Sequence, residues 1–165
     1  LEWLSSPIVY LQQFSTADRL RALTEEYFNP KSCLHHYLHM AEGNYKEYLQ
    51  KDSVRVKKYF YVLRPILACD WIKQKNTMAP MEFHKLLDSQ VTDQKVKTEI
   101  QNLLKRKMAG EELNEEPKIQ ILNDFLESKI QFYNDYVKSL GQISQLDTER
   151  LDELFKHTIH EVWDK

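Results

Sequence analysis

Lys57, Tyr61 and Arg64 stand at i, i+4 and i+7 in the stretch Val54-Arg55-Val56-Lys57-Lys58-Tyr59-Phe60-Tyr61-Val62-Leu63-Arg64-Pro65-Ile66-Leu67-Ala68-Cys69-Asp70-Trp71-Ile72. On a helix they form one line, with Lys58 beside it. Two or three cations with a phenol among them do the chemistry of anion recognition. A guanidinium grips phosphate or carboxylate with two donors, an ammonium acts as a point charge, and the phenol adds a hydrogen bond or a stacking face. The same helix carries Val56, Tyr59, Phe60, Leu63, Ile66 and Leu67 on a broad apolar face, so it belongs to a core. Burying an unpaired cation is costly. Either acidic residues on neighbouring helices pair with the line, or it borders a cleft that receives an anion. A solvated or internally paired stripe is the alternative that needs no ligand.

Other constellations carry less. His35 and His39, at i and i+4, have the spacing of two zinc ligands, but a third ligand is lacking nearby and no Glu intervenes. The plainer reading is a partly exposed helix face, with no metal site. His36, Tyr37, Asn44 and Tyr45 are better placed to line a cleft, since Tyr37, Asn44 and Tyr48 recur about one turn apart beside the organising helix. Arg150 and His157 make an R-x6-H pattern of the kind used by HEPN-type ribonucleases, which are all-α, although the pattern is degenerate. There is no Gly-rich phosphate loop, no paired Asp-x-Asp, no G-x-S-x-G and no C-x-x-C. The spacing of residues yields no complete active site and no catalytic residue in this chain.

The elements that must position these residues are helices. Leu1–Ser5 reads as the last turn of a helix, and Pro7 followed by Ile8-Val9-Tyr10 as a short extended connector. Thr16 caps a helix through Phe28. Pro30 suits the first position of the next, which runs to about Gln50 with Gly43 inside it as a candidate close approach. Ser53 caps the organising helix, and Pro65 in its interior predicts a kink that frees a carbonyl near Tyr61. Short and medium helices follow over Pro80–Asp88 and from Thr92-Asp93 to Met108, then a long one over Pro117–Leu140 and a last one over Asp147–Trp163. About seven helices joined by short loops make an all-α bundle with a Pro-kinked central helix. A pairing of Ile8-Val9-Tyr10 with a sheet would need strands that this pattern does not supply.

Bulk composition agrees. The chain has 165 residues, 42% hydrophobic and 29% charged, which suits one globular domain with a sizeable core. Three Gly and five Pro are too few for a sandwich of many short strands. A net charge of −2 argues against a generic nucleic-acid-binding surface, yet Lys46 to Arg64 forms a local basic patch. No apolar run approaches a membrane span and no signal-peptide pattern is present, so no membrane partner is expected. Cys33 and Cys69 lie in apolar helical contexts and read as unpaired core thiols of a reduced, cytoplasmic protein. The first residues, Leu-Glu-Trp-Leu-Ser-Ser-Pro, read as continuing from something upstream, which makes the chain a candidate fragment.

Four blocks occur in order: Glu2-Trp3-Leu4-Ser5-Ser6-Pro7-Ile8-Val9-Tyr10, then His36-Tyr37-x-x-x-Ala41-x-x-Asn44-Tyr45, then Lys57 through Ile72, then Pro80-Met81-x-Phe83. Together they resemble a family of predicted bacterial nucleotidyltransferases of the DNA polymerase β-like superfamily. The likeness covers roughly the first half of the chain. It departs from the family at Ala79-Pro80, where members often carry two prolines. The resemblance implies an N-terminal α/β catalytic domain with an Asp-x-Asp pair holding Mg²⁺, absent from this chain. Residues 1–15 would then be the connector from that domain and residues 16–165 the helical domain. The whole protein would transfer a nucleotidyl group from a nucleoside triphosphate to an acceptor that the resemblance leaves open, RNA among the candidates, with Mg²⁺ stabilising the in-line displacement. Lys57, Lys58 and Arg64 would neutralise the triphosphate, and Tyr61 and Tyr45 would bond phosphate or stack on a base. His36, Tyr37 and Asn44 would line the same cleft. Against this stands a non-catalytic helical module whose basic, aromatic groove binds a protein or RNA. A ribonuclease centred on His157 is the third reading.

Overall fold

The computed structural model describes residues 2–141 and 147–164. Its seven α-helices are α1 (Thr16–Leu23), α2 (Pro30–Tyr48), α3 (Tyr59–Lys75), α4 (Phe83–Gln90), α5 (Gln94–Met108), α6 (Gln120–Ser139) and α7 (Glu149–Trp163). Short 3-10 turns cover Glu2–Ser5 and Val56–Lys58, and a two-stranded ribbon pairs β1 (Ser53–Arg55) with β2 (Glu115–Pro117). The all-α bundle is thus what the periodicity predicts. None of its described helices is long and apolar enough to cross a membrane.

Local chemistry explains the boundaries. Asn29 caps α2 by accepting a hydrogen bond from Ser32 N at 2.9 Å, and Pro30 occupies the first turn, where a missing N–H costs nothing. Asp93 caps α5 through Lys95 N at 2.8 Å. Asn76 ends α3 in the left-handed region (φ 52°), its N–H donating to Ile72 O. Pro65 lies buried inside α3, which stays helical from end to end, and its missing N–H leaves Tyr61 O without the usual i+4 donor.

Four expectations need correction. The central helix begins at Tyr59, not at Ser53: Val54 and Val56 are buried while Ser53 and Arg55 are exposed, a two-residue alternation of β-branched side chains that suits a strand. Pro117 likewise sits in β2, opposite Ser53, so α6 opens three residues later. In a ribbon of two strands each has a free edge, where proline's missing donor is tolerated. Gly43 marks no close approach, since a Cβ there would meet nothing within 4 Å. Ile8, Val9 and Tyr10 are exposed and take no part in the ribbon. The final helix starts at Glu149, two residues after its expected start at Asp147, whose carboxylate accepts from Glu149 N.

The antiparallel pair α2 and α3 forms the centre, with α6 lying against both, α4 against α3, and α5 against α6. Leu34, Leu38, Ala41, Leu63, Ile66 and Leu67 interlock there at 5% exposure or less. Cys69 is buried with them and Cys33 half-buried, both as free thiols, and burial pushes the Cys69 thiol up. Asn123 is the one buried polar residue among those described. Its Nδ2 donates to Leu49 O at 2.6 Å, and its Oδ1 accepts from the Tyr59 hydroxyl. The same hydroxyl accepts from Ile119 N at 2.8 Å. One node therefore ties the end of α2, the start of α3 and the start of α6.

Tyr59→Phe removes the hydroxyl and leaves Ile119 N and Asn123 Oδ1 buried without that partner. The expected loss is about 1–3 kcal/mol, read as a lower urea midpoint at unchanged slope. Burial pushes the Tyr59 phenol up to about 12 from the ordinary 10.0. The unfolded chain therefore ionises first, and the stability this group contributes, complete below pH 10, is lost as pH rises toward 12. A midpoint that stays flat over that range in wild type relative to Tyr59→Phe would contradict the assignment.

Candidate functional site

Lys57, Tyr61 and Arg64 do line one cleft, of about 580 Å³. Lys57 comes from the turn before α3, Tyr61 and Arg64 from its first two turns. The opposite wall is Lys107, at the end of α5, and the loop Glu111–Asn114. Phe60 forms the floor between them, with the Lys107 ammonium 4.8 Å from its ring centroid. Lys58 is not in this lining. Its ammonium sits 3.8 Å from the Tyr48 ring centroid and 4.7 Å from that of Tyr61, so it braces Tyr61 from behind.

The loop reaches the cleft because the ribbon carries it there. Val56 N donates to Asn114 O at 3.0 Å, and Lys57 N to Leu113 O at 3.4 Å, continuing the pairing of β1 with β2. Leu113 is buried beneath. Gly110, at φ 78°, makes the turn out of α5, a conformation that favours glycine. Arg106 then clamps the loop: its Nε meets Glu111 at 2.7 Å and its two terminal nitrogens grip Glu116. The Arg106 guanidinium holds the Glu116 carboxyl below the usual carboxylate range. Glu112, the other carboxylate of the lining, accepts from Asn114 Nδ2 at 3.1 Å, and Lys57 and Lys107 have no ion-pair partner among the described residues.

Arg64 is both ion-paired and at the edge of the cleft. Its Nη2 pairs with Glu2, while the side chain still borders the cleft. The other Glu2 oxygen accepts from the Tyr37 hydroxyl at 2.6 Å. Burial, then the Glu2 carboxylate, push the Tyr37 phenol well above its ordinary value, so it stays a donor. Arg64 Nη2 also lies 3.5 Å from Pro80 O. The first turn of the chain is thereby fastened to α2, α3 and the loop before α4.

The second-rank residues scatter. His36 lines a separate hollow with Glu2, Trp3, Cys33 and Met78, where Tyr37 also lies. Asn44 donates to Met40 O within its own helix, away from the cleft. Tyr45 is buried in the core, where desolvation pushes its phenol up. His35 and His39 are exposed, and no group of three or more His, Cys, Asp and Glu among the described residues is placed to hold a metal ion. Arg150 and His157 share a hollow between α1 and α7, with Arg150 paired to Glu26. Sequence reasoning missed Lys107, Glu2 and the acidic wall. The run Lys105-Arg106-Lys107 at a helix end was visible, but nothing local says that its last member faces α3.

Residues 1–157 match the RNA repair pathway DNA polymerase beta family, and the chain belongs to it. It is 45% identical over 163 residues to a Bacillus subtilis (strain 168) protein named uncharacterized protein YcgL. That alignment takes in 99% of this chain and 63% of the relative, so the chain spans less than two thirds of that protein's length. No solved structure matches.

A double-mutant cycle tests the fastening. Glu2→Gln and Arg64→Met each lower stability, and their coupling is expected at about 1–2 kcal/mol, as for a part-buried charged pair in contact. Coupling within experimental error of zero in urea denaturation would show that Glu2 and Arg64 act separately.

Proposed function

We propose that this chain is the helical, substrate-binding portion of a nucleotidyltransferase, and that the cleft between α3, α5 and the 111–114 loop takes the phosphates of a nucleoside triphosphate. The observation that carries this reading is the convergence of Lys57, Arg64 and Lys107 on one opening, from the start of α3 with its preceding turn and from the end of α5. Lys57 and Lys107 supply two mobile point charges, and Tyr61, more than half exposed, supplies a hydroxyl and a ring for phosphate or base. Arg64, with Nη2 committed to Glu2, retains its other nitrogens for the ligand and acts equally as a strut. Lys58 supports the site by bracing Tyr61.

Nucleotidyl transfer needs a nucleophile in line with the leaving pyrophosphate, and Mg²⁺ supplies charge neutralisation when bound. The described residues do not fit such an ion, so its ligands and the catalytic carboxylates are assigned to a part of the protein outside this chain. What this chain contributes is binding: it would hold the phosphate tail and orient the nucleotide. The family's description as an RNA repair pathway one favours an RNA as acceptor.

A second reading, a module that binds a protein partner, has one observation in its favour. Tyr10 is 96% exposed and Trp163 71%, with Leu11 and Phe155 also largely exposed.

Calorimetric titration with ATP and Mg²⁺ decides between them. Lys57→Ala and Lys107→Ala are each expected to weaken binding about tenfold, the value of one charge-assisted contact of roughly 1.4 kcal/mol. Both side chains lie outside the core, so circular dichroism should stay unchanged. Affinity equal to wild type in both variants would remove the phosphate role. Absence of nucleotide binding in the longest natural form of the protein would favour the interaction module.

A further inference from the structure

Nine residues along α3 from Tyr61, and so on the other side of the helix by its period, Asp70 opens a groove against α6. One part, of about 460 Å³, is lined by Asp70, Lys73, Lys129 and Phe132 among others. It meets at Lys73 a second hollow of about 330 Å³ that holds Tyr136 and ends at Lys31. Between the two parts, Phe132 and Tyr136 stand one turn apart on α6 with rings nearly parallel, 8° between planes and 5.9 Å between centroids. Phe132 is 47% exposed. The Lys73 ammonium lies 5.5 Å from each centroid.

The charge balance of the groove favours an anion. Asp70 is fully engaged, by Lys129 at 2.8 and 2.9 Å and by the Tyr133 hydroxyl at 2.6 Å. Lys73 has no carboxylate partner among the described residues. Lys31 donates to the carbonyls of Leu140 and Gly141, which leave its charge uncancelled. An aromatic tier with ammonium groups above and beyond it suits a ligand that repeats a flat ring and a phosphate. Single-stranded nucleic acid is that ligand, because every base offers a π face and every linkage one charge.

We propose that the α3–α6 groove binds single-stranded nucleic acid, with bases stacked on Phe132 and Tyr136 and phosphates at Lys73 and Lys31. Calling that strand the acceptor rests on the nucleotidyl-transfer reading; the binding itself does not. The groove and the triphosphate cleft lie on opposite sides of α3, so one chain would hold both substrates without overlap.

The test is fluorescence anisotropy of the whole chain with a labelled oligouridylate of about twelve nucleotides, within the usual range for single-strand sites. Phe132→Ala is expected to weaken binding about tenfold, the scale of one lost base stack. Tyr136→Leu, which keeps an apolar side chain in place, should weaken it in the same direction. Lys73→Ala should reduce the slope of log affinity against log salt by about 0.7, the signature of one phosphate contact on a single strand. Lys57→Ala and Lys107→Ala should leave oligouridylate affinity unchanged while lowering that for ATP, which separates this proposal from the cleft assignment. The proposal is overturned if wild type fails to bind the oligomer at low salt. It is equally overturned if Phe132→Ala, folded by circular dichroism, binds as wild type does, or if the salt slope of Lys73→Ala is unaltered.

Discussion

The Tyr59 hydroxyl is the contact on which the arrangement depends. It is fully buried, so it must find partners, and the two it finds belong to α6 and the residue just before it. Asn123, held in turn by Leu49 O, extends the node to the end of α2. Three helices therefore share one registration point, and it lies two residues from Tyr61. A shift of α3 relative to α6 would break two buried hydrogen bonds together, while a hydrophobic seam alone would tolerate sliding. The position of the cleft cations follows from that constraint.

Around this point the chain uses charge in two ways. In the fastened pairs, Arg64 with Glu2, Arg106 with Glu111 and Glu116, and Lys129 with Asp70, an acid from outside the cation's own helix neutralises it and ties that helix to a second segment. In the cleft and the groove, Lys57, Lys107 and Lys73 are left without such acids among the described residues. In the proposed reading, a place in a concave lining together with the lack of an acidic partner marks these cations as ligand-binding, since residue type and spacing do not.

Much of the helical plan was legible in the sequence. Asn29-Pro30, Asp93 and Gly110 announce their boundaries through caps and turns whose chemistry is local. The pair Tyr61 and Arg64 was legible too, because helical period aligns it, and Lys57 joins it from the turn before α3. Two kinds of feature were not. The ribbon escaped because its strands are three residues each, too short for alternation to outweigh the helical pattern that follows Val54. The partners of the cleft escaped because Glu2 and Lys107 reach it through tertiary packing, and no local rule connects residue 2 with residue 64. Tyr45 shows the converse: a tyrosine on the right helix, at an inviting spacing, whose ring fills the core.

The ribbon has a kinetic consequence. Pairing Ser53 with Pro117 encloses α3, α4 and α5 in one long loop whose closing entropy must be met before the strands gain their hydrogen bonds. Lys57 and the 111–114 wall come together only when that loop closes, because the same backbone pairing sets both. Helices α2 and α3, adjacent in sequence, can dock early through local contacts. The cleft is thus a late product of folding, completed after the bundle's centre has formed, and a nascent chain cannot complete it until residue 117 has been synthesised.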